Sequence, residues 1–198
     1  MLKKIVLLLV AFFMLVAYSF AANDRFTLVI DPGHGGHDAG AMGARSKEKD
    51  INLRVALAFG KYVERNMPDV RVIYTRKTDV FIPLMERANI ANKAGADLFI
   101  SVHTNALPGG KIARGFETYS LGMHRAKDNL DVAMRENSVI SMEKDYQQRY
   151  QGFDPRSSES YIIFEFIQGK NMERSVDLAR MIQRGVCDGA NRPDKGVH

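Results

Sequence analysis

The sequence predicts an α/β fold, a mostly parallel twisted sheet with helices on both faces and one helical insertion. Three observations predict it. Apolar, β-rich runs alternate with amphipathic helical segments in the order βαβαβ across residues 26–102, and such alternation packs as a parallel sheet covered by helices. The run over Asp97–Val102 reads as a buried strand. Two of the strands run into polar loops that carry a histidine, His34 and His103, and ligands of open α/β sheets gather beyond the carboxyl ends of the strands. The composition agrees: 198 residues, 45% hydrophobic and 26% charged, exclude a disordered tail, a collagen or a disulfide-stapled miniprotein and suit one globular domain.

The elements follow in order. Met1–Lys4 carries two lysines, Ile5–Tyr18 is an unbroken apolar run, and Ser19-Phe20-Ala21 supplies small residues for a peptidase; this is the pattern of a secretory signal over residues 1–21. The run is shorter than the roughly 20 residues a spanning helix needs, so no stable membrane span is expected after cleavage. Phe26–Ile30 is a strand that stops at Asp31-Pro32-Gly33, and the glycine-rich stretch through Gly40 is a loop. From Asp50, the residues Ile51, Val55, Phe59, Tyr62 and Val63 recur at helical spacing until Pro68. Val70, Val72 and Tyr74 alternate as a strand, Pro83 opens a helix through about Ala94, and Gly115–Ser120 is a further short strand. The charge-dense segment 124–168 reads as the insertion, with a charged helix over about Lys127–Tyr150 marked by Leu130, Met134, Val139 and Met142, and a strongly apolar stretch at Tyr161–Ile167. Met172, Val176, Ala179, Ile182 and Val186 mark a last amphipathic helix. Asn191–His198 is polar, contains Pro and Gly and reads as a loop, which predicts a domain, 24–198, that is incomplete at its C-terminus.

Charge and cysteine content narrow the function. The formal net charge of +5 falls to +3 once Lys3 and Lys4 are removed, and the remaining basic residues are scattered among acids, so no nucleic-acid partner is expected. Cys187 is the sole cysteine; it forms no intramolecular disulfide and belongs to no metal-binding cysteine pair, and it reads as a small core residue.

Histidine nitrogens and one carboxylate converging from separate loops, with a coordination position left for water, describe a catalytic zinc site. His34 in its glycine loop, His103 after a buried strand and Glu48 just before the first helix can meet over one sheet edge. Spacing alone does not choose the set, because histidines in loops are more often surface or hydrogen-bonded residues.

Asp31-Pro32-Gly33-His34-Gly35-Gly36, Glu48-Lys49-Asp50-Ile51-Asn52-Leu53, Thr75-Arg76, Arg87-Ala88-Asn89 and Phe99-Ile100-Ser101-Val102-His103-Thr104-Asn105-Ala106 together resemble the zinc-dependent N-acetylmuramoyl-L-alanine amidases of bacterial cell-wall turnover. The resemblance covers about Leu28–Tyr119, with the helix after Asn171 fitting more loosely. It implies that His34, Glu48 and His103 hold Zn2+, and that the substrate is the amide between muramic acid and L-alanine in peptidoglycan. It also implies a second glutamate as general base, near the domain's C-terminal end after a final apolar strand; that residue is expected beyond His198, so a 198-residue form would bind zinc and turn over slowly or not at all. Glu117 and Glu165 are expected to be structural instead. In some amidases of this kind an insertion carries a helix that blocks the zinc until an activator protein binds. Ala133–Ser138 resembles part of it, which makes Glu136 a candidate autoinhibitory residue facing the metal; a plain solvated helix is the alternative.

His37 and Asp38 are candidate outer-sphere partners or loop hydrogen-bonding groups, Asn105 is a candidate substrate or turn residue, and Arg76 and Arg87 are expected to be ion-paired scaffold. The activity expected is zinc hydrolysis of peptidoglycan, in cell-wall remodelling or daughter-cell separation, in the periplasm or elsewhere in the cell envelope. An exported zinc metallopeptidase and a non-catalytic wall-binding module are the competing readings. The first would cut a different bond, and the second would hold no stoichiometric zinc.

Overall fold

The structure is a computed structural model that describes residues 25–106, 114–120, 127–150, 154 and 171–198. The expected signal at 1–21, the apolar stretch Tyr161–Ile167 and Glu165 lie outside the described residues. The chain divides into two compact units. The first holds the described residues up to Ile82 together with Glu86–Thr104, and the second holds Pro83–Met85 and the described residues from Asn105 onward.

In the first unit, β1 (Phe26–Pro32) lies between β2 (Val70–Tyr74) and β3 (Leu98–Val102), and both pairings are parallel. The βαβαβ order read from the sequence is therefore observed, with helix α1 (Glu48–Asn66) between β1 and β2 and helix α2 (Leu84–Ala94) between β2 and β3. Register pairs Leu28 with Val72 and Leu98, and Ile30 with Tyr74 and Ile100. Because side chains alternate along a strand, these residues share one face, where they pack with Ala56, Phe59 and Val63 of α1. Val29 and Asp31 point to the other face. Val29 is buried there, and Arg87 of α2 reaches Asp31 at 2.7 Å. The two helices thus cover opposite faces, and the central strand is apolar on both sides for that reason.

Helix α1 buries only part of the stripe its hydrophobic pattern predicts: Phe59 and Val63 pack against the core as expected. Val55 and Tyr62 are exposed, while Asn52, Ala56, Gly60 and Val63 face inward. Close approach to the sheet decides this: a Cβ on Gly60 would lie 1.8 Å from the Tyr74 hydroxyl oxygen, so only small residues fit along that line. The helix starts at Glu48, two residues before the expected Asp50.

In the second unit, β4 (Phe116–Thr118) pairs in parallel with β5 (Asp194–Val197), and helix α5 (Met172–Ala190) packs on both strands. The expected stripe of α5 is observed, with Ala179 buried and Met172, Val176, Ile182 and Val186 half-buried. The expectation of a terminal loop over Asn191–His198 is overturned. Phe116 N–H donates to Pro193 O, His198 N–H to Thr118 O and Ser120 N–H to His198 O. Buried Gln183 bridges the two strands by donating to Phe116 O at 2.7 Å and Asp194 Oδ1 at 2.6 Å. Asp-Lys-Gly-Val has little intrinsic strand preference; hydrogen bonds to a strand far away in sequence make it one.

The single charged helix expected over Lys127–Tyr150 is instead three pieces: α3 (Lys127–Asn137), a 3-10 turn (Ser138–Met142) and α4 (Tyr146–Arg149). Asp145 adopts φ 59°, a left-handed conformation that interrupts the helix. Val139 is buried as expected, but Met142 is exposed and Glu143 takes the interior position. The Glu143 carboxylate accepts the Leu84 N–H at 2.9 Å at the start of α2, satisfying a donor that the helix itself leaves open.

Candidate metal centre

The site is built at the carboxyl ends of β1 and β3 and the first turn of α1. Residues 33–40 form a loop that contains four glycines, and two of them leave room that the site requires. A Cβ on Gly33 would lie 2.4 Å from the His103 ring, and one on Gly40, at φ +63°, would lie 2.6 Å from His34 Cδ2 and 2.8 Å from Glu48 Cβ. His34 itself sits at φ 62°, a left-handed conformation costing on the order of 1–3 kcal/mol that persists only where neighbours enforce it. Arg87 is one such neighbour, donating to His34 O at 2.9 Å. Asp38 is another, accepting from His34 Nδ1 at 2.8 Å.

Glu48 is shared by the two histidine loops. Its Oε1 lies 3.4 Å from His34 Nε2 and 3.3 Å from His103 Nδ1, and the two rings meet edge-on with centroids 4.9 Å apart. The donor atoms of the three residues lie within 4.8 Å of one another. Backbone N–H groups from both loops fix the carboxylate: Ala41 donates to Oε2 at 2.9 Å and Thr104 to Oε1 at 2.7 Å. Burial alone would raise the pKa of Glu48. The His103 ring and the N–H groups of Ala41 and Thr104 outweigh it and hold the carboxyl well below its ordinary range. Asp38 is likewise held low, since the bonds from His34 and the Gly40 N–H overcome its desolvation.

This donor set fits a metal ion. An ionised Asp38 can only accept, so His34 Nδ1 carries the hydrogen and Nε2 presents its lone pair toward Glu48. A lone pair facing a carboxylate oxygen at 3.4 Å calls for a proton or a cation between them. A tetrahedral ion with bonds of about 2.1 Å separates its ligand atoms by about 3.4 Å, which matches both observed separations. A carboxylate that backs a ligating histidine is also the usual way of fixing its tautomer.

The scaffold around the site uses polar side chains for backbone work. Arg76, 3% exposed, donates to Pro32 O, Gly33 O, Thr78 O and Lys49 O, so it clamps carbonyls, and among the described residues it has no ion pair of the kind expected of it. Arg87 pairs with Asp31, which also accepts from Thr75 and Ser101. Lys49 binds Asp79 Oδ2 at 2.6 Å and Gly36 O at 2.8 Å, tying the glycine loop to the turn after β2. The His37 ring stacks on Phe81 rather than backing a ligand, and Asn105 is exposed. Lys49, Asn52 and Thr104 stand inside the motifs that carry the resemblance but have no role of their own in the sequence reading, and Asp79 stands outside them. The available signal was Asn52, a polar residue four positions after Glu48 on a helix face that otherwise buries small apolar groups.

Glu136 and Glu117 belong to the second unit. Glu136 lies in the last turn of α3, 3.4 Å from the Arg135 guanidinium. Glu117 is exposed on β4 and accepts the Tyr119 hydroxyl.

Comparison with known proteins agrees with the motifs. A family model described as N-acetylmuramoyl-L-alanine amidase matches residues 28–198. The endolysin of Bacillus phage SPP1 is 51% identical over 90 residues, 46% of this chain and 32% of its own length. The N-acetylmuramoyl-L-alanine amidase AmiA of Escherichia coli (strain K12) is 32% identical over 168 residues, 83% of this chain and 55% of its own length. The crystal structure of an N-acetylmuramoyl-L-alanine amidase from Clostridium difficile 630 superposes with a TM-score of 0.59 at 25% identity, covering 88% of this chain and 69% of that one. The chain spans from about a third to about half the length of these curated relatives. With a match that runs from Leu28, the third residue of β1, to His198, this chain belongs to the N-acetylmuramoyl-L-alanine amidase family.

Proposed function

We propose that this chain hydrolyses the amide bond between N-acetylmuramic acid and L-alanine in peptidoglycan, using zinc held by His34, Glu48 and His103. The observation that carries the proposal is the convergence of those three donors from three separate elements, with Asp38 behind His34. When bound, zinc supplies Lewis acidity that polarises an amide carbonyl and acidifies water at neutral pH. The protein keeps the site ready for it. Asp38 holds His34 in the tautomer that directs Nε2 inward, and Glu48 stays ionised. Two neutral donors and one anionic donor leave a divalent ion with net positive charge, as polarising a carbonyl requires. The buried carboxylates described in the first unit are already committed, Asp31 to Thr75, Ser101 and Arg87, and Asp38 to His34. None of them is assigned as the general base.

The same reading places the protein in the cell envelope after export behind residues 1–21, with 24–198 as the catalytic domain and 124–168 as an insertion. Glu136 is the residue through which that insertion would restrain the site until an activator protein engages. Replacing it by alanine is expected to raise the rate of peptidoglycan hydrolysis; an unchanged rate would leave the insertion a solvated appendage.

The test of the activity is product identity. Purified peptidoglycan incubated with the protein should release stem peptides bearing a free L-alanine amino terminus. Release should stop on chelation, resume with added zinc, and be absent in His34→Ala. Cleavage inside the stem peptide would instead make the protein a metallopeptidase. A protein that releases nothing and binds no zinc would be a wall-binding module.

A further inference from the structure

Thr104 follows His103 directly and makes two bonds back to α1. Its N–H donates to Glu48 Oε1 at 2.7 Å, and its hydroxyl donates to Asn52 Oδ1 at 2.8 Å. Asn52 lies one turn beyond Glu48 on the same helix face, at 0% exposure. Its amide nitrogen reaches Gly33 O and Glu48 Oε1, each at 3.4 Å. One buried side chain thereby contacts the residue before His34, the Glu48 carboxylate and the residue after His103. The rest of this helix face is filled by Ala56, Gly60 and Val63. An amide there, with its donor and acceptor both engaged toward the site, does something that packing alone would not require.

We propose that Asn52 and Thr104 form a positioning pair that fixes the His103 loop against α1 and so sets the ligand geometry of the metal centre. The inference rests on the reading that His34, Glu48 and His103 hold zinc. Neither residue touches the ion. Thr104 acts by holding His103 and the Glu48 oxygen in mutual register, and Asn52 acts by holding Thr104 and the carbonyl before His34. Partners of this kind change metal affinity when removed although every ligand remains.

The test uses the whole 198-residue protein and Zn2+ alone. Affinity is read by competition with a chromophoric chelator, ligand geometry by the absorption of the Co2+-substituted protein, and folding by the thermal melt of the metal-free form. Thr104→Val keeps the side chain's shape and removes the hydroxyl, and Thr104 is exposed enough to tolerate it; Thr104→Ala replaces it should the valine variant not fold. The expected result is a loss of about 10- to 100-fold in Zn2+ affinity with altered Co2+ bands, both restored in Thr104→Ser. Wild-type affinity and an unchanged Co2+ spectrum in Thr104→Val would overturn the inference, and so would failure of Thr104→Ser to restore them. Wild-type protein that takes up no stoichiometric zinc would overturn the metal reading itself, which separates the two failures.

Discussion

At the scale of single residues, the site depends on groups whose protonation is fixed by neighbours. Glu48 is buried yet ionised, because the backbone N–H groups of Ala41 and Thr104 donate to it and the His103 ring lies beside it. His34 accepts a strained backbone because Asp38 and Arg87 hold it at both ends. The contribution of Asp38 is its charge as well as its position. Asp38→Asn keeps an acceptor for Nδ1 but removes the negative charge that raises the basicity of the ring, and zinc affinity measured by chelator competition should fall about 10- to 100-fold. His34, Glu48 and His103 could be named from the sequence as candidate ligands because they stand in motifs that resemble a known family, whereas spacing alone left the set open. The role of Asn52 and Thr104 was not legible there, since it exists only once residues 52 positions apart in sequence share a hydrogen bond.

At the scale of elements, pattern and packing disagree wherever two elements come close. The apolar spacing of α1 indicates a stripe through Ile51, Val55, Phe59, Tyr62 and Val63, of which Phe59 and Val63 pack inward and Val55 and Tyr62 are exposed. The contact with Tyr74 selects the stripe through Ala56 and Gly60 instead. In the insertion, the charged run reads as one helix, yet Asp145 breaks it and Glu143 turns inward to the start of α2. Tyr150 joins that contact, donating its hydroxyl to Glu143 and accepting the Met85 N–H. Burial, with Glu143 beside it, pushes the Tyr150 phenol up to about 12 from an ordinary value of 10.0. A folded pKa above the unfolded one gives a contribution to stability that is complete below pH 10 and lost as pH rises toward 12. Thermal melts between pH 9 and 12 should therefore show a shallower alkaline decline in Tyr150→Phe than in the wild type. Equal slopes would mean that the phenol titrates normally.

At the scale of the whole molecule, ligand binding and folding are linked. An ion that binds the folded ligand set and not the unfolded chain stabilises by about 2.7 kcal/mol when present at 100 times its dissociation constant. Adding zinc to metal-free protein should raise the melting temperature, and the shift should vanish in His34→Ala; an equal shift in that variant would place the ion elsewhere. The order of elements, the parallel βαβαβ core and the residue types at the strand ends were determined by the sequence alone, because they follow from local periodicity, turn residues and short motifs. The inward stripe of α1, the strand at Asp194–Val197, the interior place of Glu143 and the bonds that lock Glu48 between two loops were decided by the tertiary structure. Each depends on a hydrogen bond or a steric limit between segments distant in the chain, which no window of neighbouring residues contains.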